Sequence, residues 1–63
     1  MTYFVLVKKF SHEPDVFELS LRDAEHLFHE CQPWVDRGFL EYVEVWDSSK
    51  DTAILEYSLD MYH

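Results

Sequence analysis

Two histidines three residues apart, His26 and His29, lie between Glu25 and Glu30, and this is the nearest approach in the chain to a metal-ligand set. A closed zinc site needs four ligands, and the remaining soft donor, Cys31, falls on an apolar stripe instead. Solvated histidines on a polar helix face are therefore the favoured reading, and His12 and His63 stand alone. The carboxylates Glu41 and Glu56 suggest acid–base work only if a concave pocket splits their pKa values. A domain this small has little room for one. Ser48-Ser49 has no neighbouring base and reads as turn chemistry, and Cys31 reads as a small buried hydrophobe. No enzyme, metal or cofactor is expected.

The element that orders the rest is the stretch from Leu19 to Cys31, the one segment with a helical period. Ser20 is a good N-cap, and Asp23 sits where a carboxylate meets the positive end of the helix dipole. Leu21, Ala24, Leu27, Phe28 and Cys31 form one apolar stripe. Pro33 lacks an N–H and disfavours helix at Gln32, so the helix is expected to end near Cys31 or Gln32. Pro33 to Gly38 would then make an irregular turn, with Gly38 free to take positive φ.

Strands are expected from Thr2 to Phe10, Val16 to Leu19, Phe39 to Trp46 and Thr52 to Leu59, with turns at 11–15 and 47–51. The fold class is α+β: a single domain over 1–63, ordered β-β-α-β-β, with an antiparallel sheet and one helix on one face. Tyr3, Val5 and Val7 share one face of the first strand, and Phe4, Leu6 and Lys8 the other. If the last hairpin has a two- or four-residue loop, Leu40, Tyr42, Glu44, Trp46, Ala53, Leu55, Tyr57 and Leu59 share a face. That face is the richer in apolar residues, and the helix is expected on it. The opposite face would carry Phe39, Glu41, Val43, Val45, Thr52, Ile54, Glu56 and Ser58, uncovered. Phe28, Tyr42, Trp46 and Tyr57 are expected in the core. Trp34, Tyr3, Phe39 and Tyr62 exceed what a core this small needs, and some should be exposed. Asp60 to His63 is expected to fray.

Length and charge narrow the function classes. A chain of 63 residues buries only about 60% of its unfolded surface, so a partner or a second copy would add stability. With 17% aromatic residues and one Gly, it is no disordered tail. One cysteine excludes an internal disulfide and suggests a reducing compartment. Tyr3 to Val7 is too short for a signal or membrane span, so a cytoplasmic protein is expected. Thirteen acidic residues against five basic give a formal −8. Direct nucleic-acid or anionic-membrane binding needs clustered Lys/Arg, and only Lys8-Lys9 are adjacent. The same charge attracts basic protein surfaces, including those that handle nucleic acid.

The run from Phe17 to Leu27 resembles the strand-to-helix junction of the small acidic phage inhibitors of uracil-DNA glycosylase. The shared features are Leu19-Ser20-Leu21, followed by Asp23, Glu25 and Leu27 at matching spacing, within the same order of strand, strand, capped helix and strand. Members of that family are dimers that mimic DNA charge and hold an apolar pocket for a residue protruding from the enzyme's DNA-binding face. The resemblance implies host-cell cytoplasm for a phage-encoded chain, and Glu18, Asp23 and Glu25 as phosphate mimics. Ala24 stands where family members carry an aromatic residue that contributes to recognition.

Two functions are therefore expected. The first is a non-enzymatic inhibitor of a DNA- or RNA-handling protein, acting by DNA mimicry through Glu18, Asp23, Glu25, Glu41, Val43, Val45, Ile54 and Glu56. The alternative is a homodimeric interaction module closed through the open sheet face.

Overall fold

The computed structural model describes residues 2–59; the expected fraying of Asp60 to His63 and the exposure of Tyr62 lie outside them. The elements run β1 (Tyr3–Lys8), β2 (Asp15–Leu19), α1 (Leu21–Asp36), β3 (Tyr42–Trp46) and β4 (Ala53–Ser58). The strands form one antiparallel sheet in the order β2-β1-β3-β4. The helix packs on one face, which makes a two-layer α+β domain of the expected order.

Helix α1 starts as its sequence dictates. Ser20 is extended, and its hydroxyl accepts from the Asp23 N–H at 3.4 Å. The end differs from expectation, because Pro33 lies inside the helix, which runs on to Asp36. Pro33 leaves the His29 carbonyl without its usual helical donor, a defect worth about 3 kcal/mol in a helix interior. Val35 offsets it. The buried stripe is Ala24, Phe28, Cys31 and Val35, and Val35 is fully buried. Stopping at Cys31 would forfeit that contact, worth about 1.5–3 kcal/mol.

The helix then closes in a Schellman arrangement. Gly38 takes φ +82°, its N–H donates to the Val35 carbonyl at 3.0 Å, and the Phe39 N–H donates to the Trp34 carbonyl at 2.9 Å. Trp34 and Phe39 meet edge to face at 5.7 Å, the apolar contact that accompanies this cap. Both remain exposed, as does Leu21, and Arg37 stacks 5.4 Å from the Trp34 ring.

The sheet face under the helix is the second correction. Val5 pairs with Val45 and Val7 with Val43 across the central strands. Residues directly opposite share a face, so the four valines make a compact block at the sheet centre. Val5, Val43 and Val45 are each 0% exposed. Tyr3, Leu19, Leu27, Leu55 and Tyr57 pack around them. In β3 the expectation is reversed: Val43 and Val45, expected on the open face, are core, and Tyr42, Glu44 and Trp46 look away from the helix. Leu40, Leu55 and Tyr57 lie on the covered side as expected. β-branched, slender valines let a helix approach closely, which the larger aromatic set does not.

The pairing of β3 with β4 explains the rest of the misassignment. At the hairpin end, Trp46 pairs with Ala53, as an even-length loop requires. A register shift follows between Val45 and Trp46, after which Val45 pairs with Leu55, Glu44 with Glu56, Val43 with Tyr57 and Tyr42 with Ser58. Ile54 is the inserted residue. One bulge reverses which β4 residues share a face with β3, so Leu55 and Tyr57 join Val45 and Val43 instead of Trp46 and Glu44.

Candidate functional site

With the helix on the valine face, the other sheet face has no covering layer among the described residues. Its rows follow from the register. One runs Glu18, Phe4, Trp46, Ala53, and the next Val16, Leu6, Glu44, Glu56. The third brings together Lys8, Tyr42 and Ser58. Phe4, Leu6, Val16, Trp46 and Lys50 line a shallow apolar depression of ≈ 270 Å³. Val16, on edge strand β2, is 58% exposed.

Charge surrounds this centre. Glu44 and Glu56 are directly opposite one another, and like charges in that position destabilise a sheet. Glu44 accepts from the Trp46 indole N–H at 3.1 Å, which fixes both side chains beside the depression. Tyr42 neighbours them, and its phenol pKa is raised, first by burial and then by the Glu44 carboxylate. Lys8 donates to Glu41 at 2.9 Å and to the Lys9 carbonyl at 2.9 Å. Lys50, from the β3–β4 turn, holds its ammonium 4.5 Å above the Phe4 ring.

That turn is held by its own polar groups. The Ser49 hydroxyl donates to the Asp47 carboxylate at 2.7 Å, and the Lys50 N–H donates to the Asp47 carbonyl at 3.1 Å. The Ser49 hydroxyl, and behind it the backbone N–H groups of Lys50, Asp51 and Ser49, hold the Asp47 carboxyl below its ordinary pKa. Lys50 takes φ +62°, an uncommon conformation for a residue with a side chain.

The residues expected to bind a partner are not gathered in one place. Glu18 and Glu56 do lie on the open face. Val43 and Val45 do not, because they sit beneath the helix and cannot touch a partner in the folded chain. Ile54 is the bulge residue on edge strand β4, 43% exposed. Glu41 lies in the connection before β3, held by Lys8. Asp23 and Glu25 are exposed on the helix, in the opposite layer. Ala24 is 0% exposed and faces the sheet, so it belongs to no surface.

Phe4, Leu6, Val16, Glu44, Trp46 and Lys50 were missed as a set. The signal was present in two matching stretches, Val5-Leu6-Val7 and Val43-Glu44-Val45. Pairing them puts four valines together and turns Phe4, Leu6, Glu44 and Trp46 to the other side.

Chemistry of other kinds finds less support in the geometry. Among the described residues no three His, Cys, Asp or Glu side chains gather as a metal site. His26 turns to Glu30 at 3.2 Å and His29 to Gln32 at 3.4 Å. Cys31 is buried, and burial, with Glu30 adding to it, pushes the thiol pKa up, the reverse of what a nucleophile needs. No helix among these residues is long and apolar enough to cross a membrane.

No family model matches the chain, and no curated protein or solved structure matches it.

Proposed function

We propose that this chain is a non-enzymatic binding protein that docks its open sheet face on the basic, nucleic-acid-binding surface of another protein and blocks it. The observation that carries the reading is the facing pair Glu44 and Glu56 beside the uncovered apolar patch of Phe4, Leu6, Val16 and Trp46. A sheet that keeps two carboxylates opposed, next to apolar surface with no cover, gains from a partner that supplies cations and a lid together. The overall −8 charge adds long-range attraction. In the inhibitor family that the β2–α1 junction resembles, the blocked enzyme is uracil-DNA glycosylase, which makes that enzyme the first to try.

The test has two parts. Uracil excision is measured with increasing amounts of the chain. Purified nucleic-acid-binding enzymes are then passed over the immobilised chain at low salt and eluted with duplex DNA. Retention that duplex DNA reverses, that salt weakens steeply, and that a Glu44→Lys/Glu56→Lys double variant abolishes would support the reading. Affinity that is the same at low and high salt would sink it.

Self-association through the same face is the second reading, favoured by the uncovered Phe4, Leu6, Val16 and Trp46. Two copies would also bring their carboxylates together, which disfavours the contact at neutral pH. Sedimentation of a Leu6→Arg variant separates the two. A dimer that dissociates in that variant supports self-association, and an unchanged monomer removes it.

A further inference from the structure

The open face is not only acidic, because it already holds a cation. Lys50 reaches back from a turn in a left-handed backbone conformation, φ +62°. It places its ammonium 4.5 Å above the Phe4 ring, at one wall of the depression lined by Phe4, Leu6, Val16 and Trp46. Phe4 and Trp46 are cross-strand neighbours, and Glu18 is opposite Phe4 on the other side. Glu44 is tied to the Trp46 indole edge, with Glu56 opposite. Two aromatic side chains, an apolar floor and three carboxylates on neighbouring positions suit a planar, weakly hydrated cation with an apolar stem. A guanidinium meets that description better than an ammonium, since it stacks on aromatic faces and can pair with a carboxylate through a fork of N–H groups.

We infer that this depression is the seat of an arginine side chain of a basic protein segment, and that Lys50 occupies the cation position until the arginine displaces it. The inference deepens the proposed function and rests on it for the identity of the face, but not for the identity of the target. Lys50 is then an internal competitor. Its removal empties the seat, and a glycine in its place also fits the left-handed backbone.

The chain carries two tryptophans, and Trp34 lies at the far end of the helix, paired with Phe39. A Trp34→Phe background therefore makes tryptophan emission report Trp46 alone. Titration of this variant with hexa-arginine and hexa-lysine peptides of equal charge reads the seat directly. Hexa-arginine is expected to change Trp46 emission and to bind several-fold more tightly than hexa-lysine. Lys50→Gly should tighten hexa-arginine about 2–5-fold, the range set by displacing one exposed cation–π contact. Lys9→Gly gives the same net charge from outside the depression and should tighten it less. Glu44→Gln should weaken it, and circular dichroism confirms that each variant is folded.

Equal effects of Lys50→Gly and Lys9→Gly, equal binding of the two peptides, or binding with no change in Trp46 emission would each overturn the assignment. If the chain nonetheless blocks a nucleic-acid-binding protein in a DNA-reversible way, only the arginine seat falls. If the seat responds as expected and no such protein is blocked, the proposed function falls instead.

Discussion

The two faces of the sheet are made from the same strands and do opposite things. Under the helix, Val5, Val7, Val43 and Val45 leave no charged side chain buried among the described residues. On the far face the same strands present Phe4, Leu6, Glu44 and Trp46, where apolar and acidic groups mix in the open. One face is built for self-sufficiency. The other carries a like-charge pair and apolar surface that no layer covers among the described residues. In a chain this small, function is sought in residues whose arrangement lowers stability without serving the core.

Changes on the covered face should be the most damaging. Phe28→Ala removes the largest side chain of the helix stripe and should cost about 3–5 kcal/mol. For a domain of this size that is most or all of the stability, so loss of the cooperative thermal transition in circular dichroism is expected. Val43→Arg should likewise unfold the chain, because Val43 is fully buried. A folded Val43→Arg protein would show that the helix does not lie on that face. By contrast, Leu6→Ser on the open face should cost less than Phe28→Ala, because Leu6 is only half-buried and has no helix packed over it.

The cap residues come next. Gly38→Ala should cost about 1–2 kcal/mol, the penalty of a side chain at positive φ; no atom stands within 4 Å of the added Cβ, so the backbone alone accounts for it. A shift in melting temperature of about 4–8 °C per kcal/mol makes this measurable. Ser20→Ala should cost about 0.5–1 kcal/mol, at the low end for an N-cap because its hydrogen bond is long at 3.4 Å.

The sharpest contrast between the faces is the sign reversal at Glu56. Glu56→Lys replaces a like-charge pair by an attractive one and should stabilise the fold by about 0.2–1 kcal/mol, while weakening attachment to a basic partner. Denaturant midpoints and binding isotherms on the same variant give both numbers. A variant that loses stability would mean that Glu44 and Glu56 do not face each other in solution.

The smallest effect is one of pH. Asp47 has a folded-state pKa below its ordinary 3.8. Its contribution to the turn is therefore complete above that value and is lost as pH falls through the folded one. Protection of the turn amides, taken relative to their intrinsic exchange rates at each pH, should fall in that acid range, and in an Asp47→Asn variant the change should be absent.

The helix start, the four strands and the alternation of β1 were legible in the sequence because local rules decide them: an N-cap, a helical period, an alternation of two. The helix end was not, since Pro33 argues locally for a stop and only the tertiary contact of Val35 argues against it. The face of β3 was hidden for a similar reason. Local composition made Tyr42 and Trp46 look like core, but the choice is made by what lies opposite, and Val45 and Val43 meet Val5 and Val7. A single bulge at Ile54 then reversed the matching of β4, and nothing short of the paired strands reveals it. Of the acids expected to act, Glu18 and Glu56 share the open face, while Asp23 and Glu25 fall in the other layer. Glu44 is not among them, because local composition places it on the covered side.

Cys31 has a use beyond packing. Its thiol is buried but for 8% of the residue's surface, with its pKa raised by burial, so a thiol reagent in solution reacts with it fastest when the helix lifts away. The rate of its modification is then a clock for that opening. Because a partner on the outer face touches neither the helix nor this sulfur, a slowing of the clock upon binding would measure how far the outer surface steadies the interior.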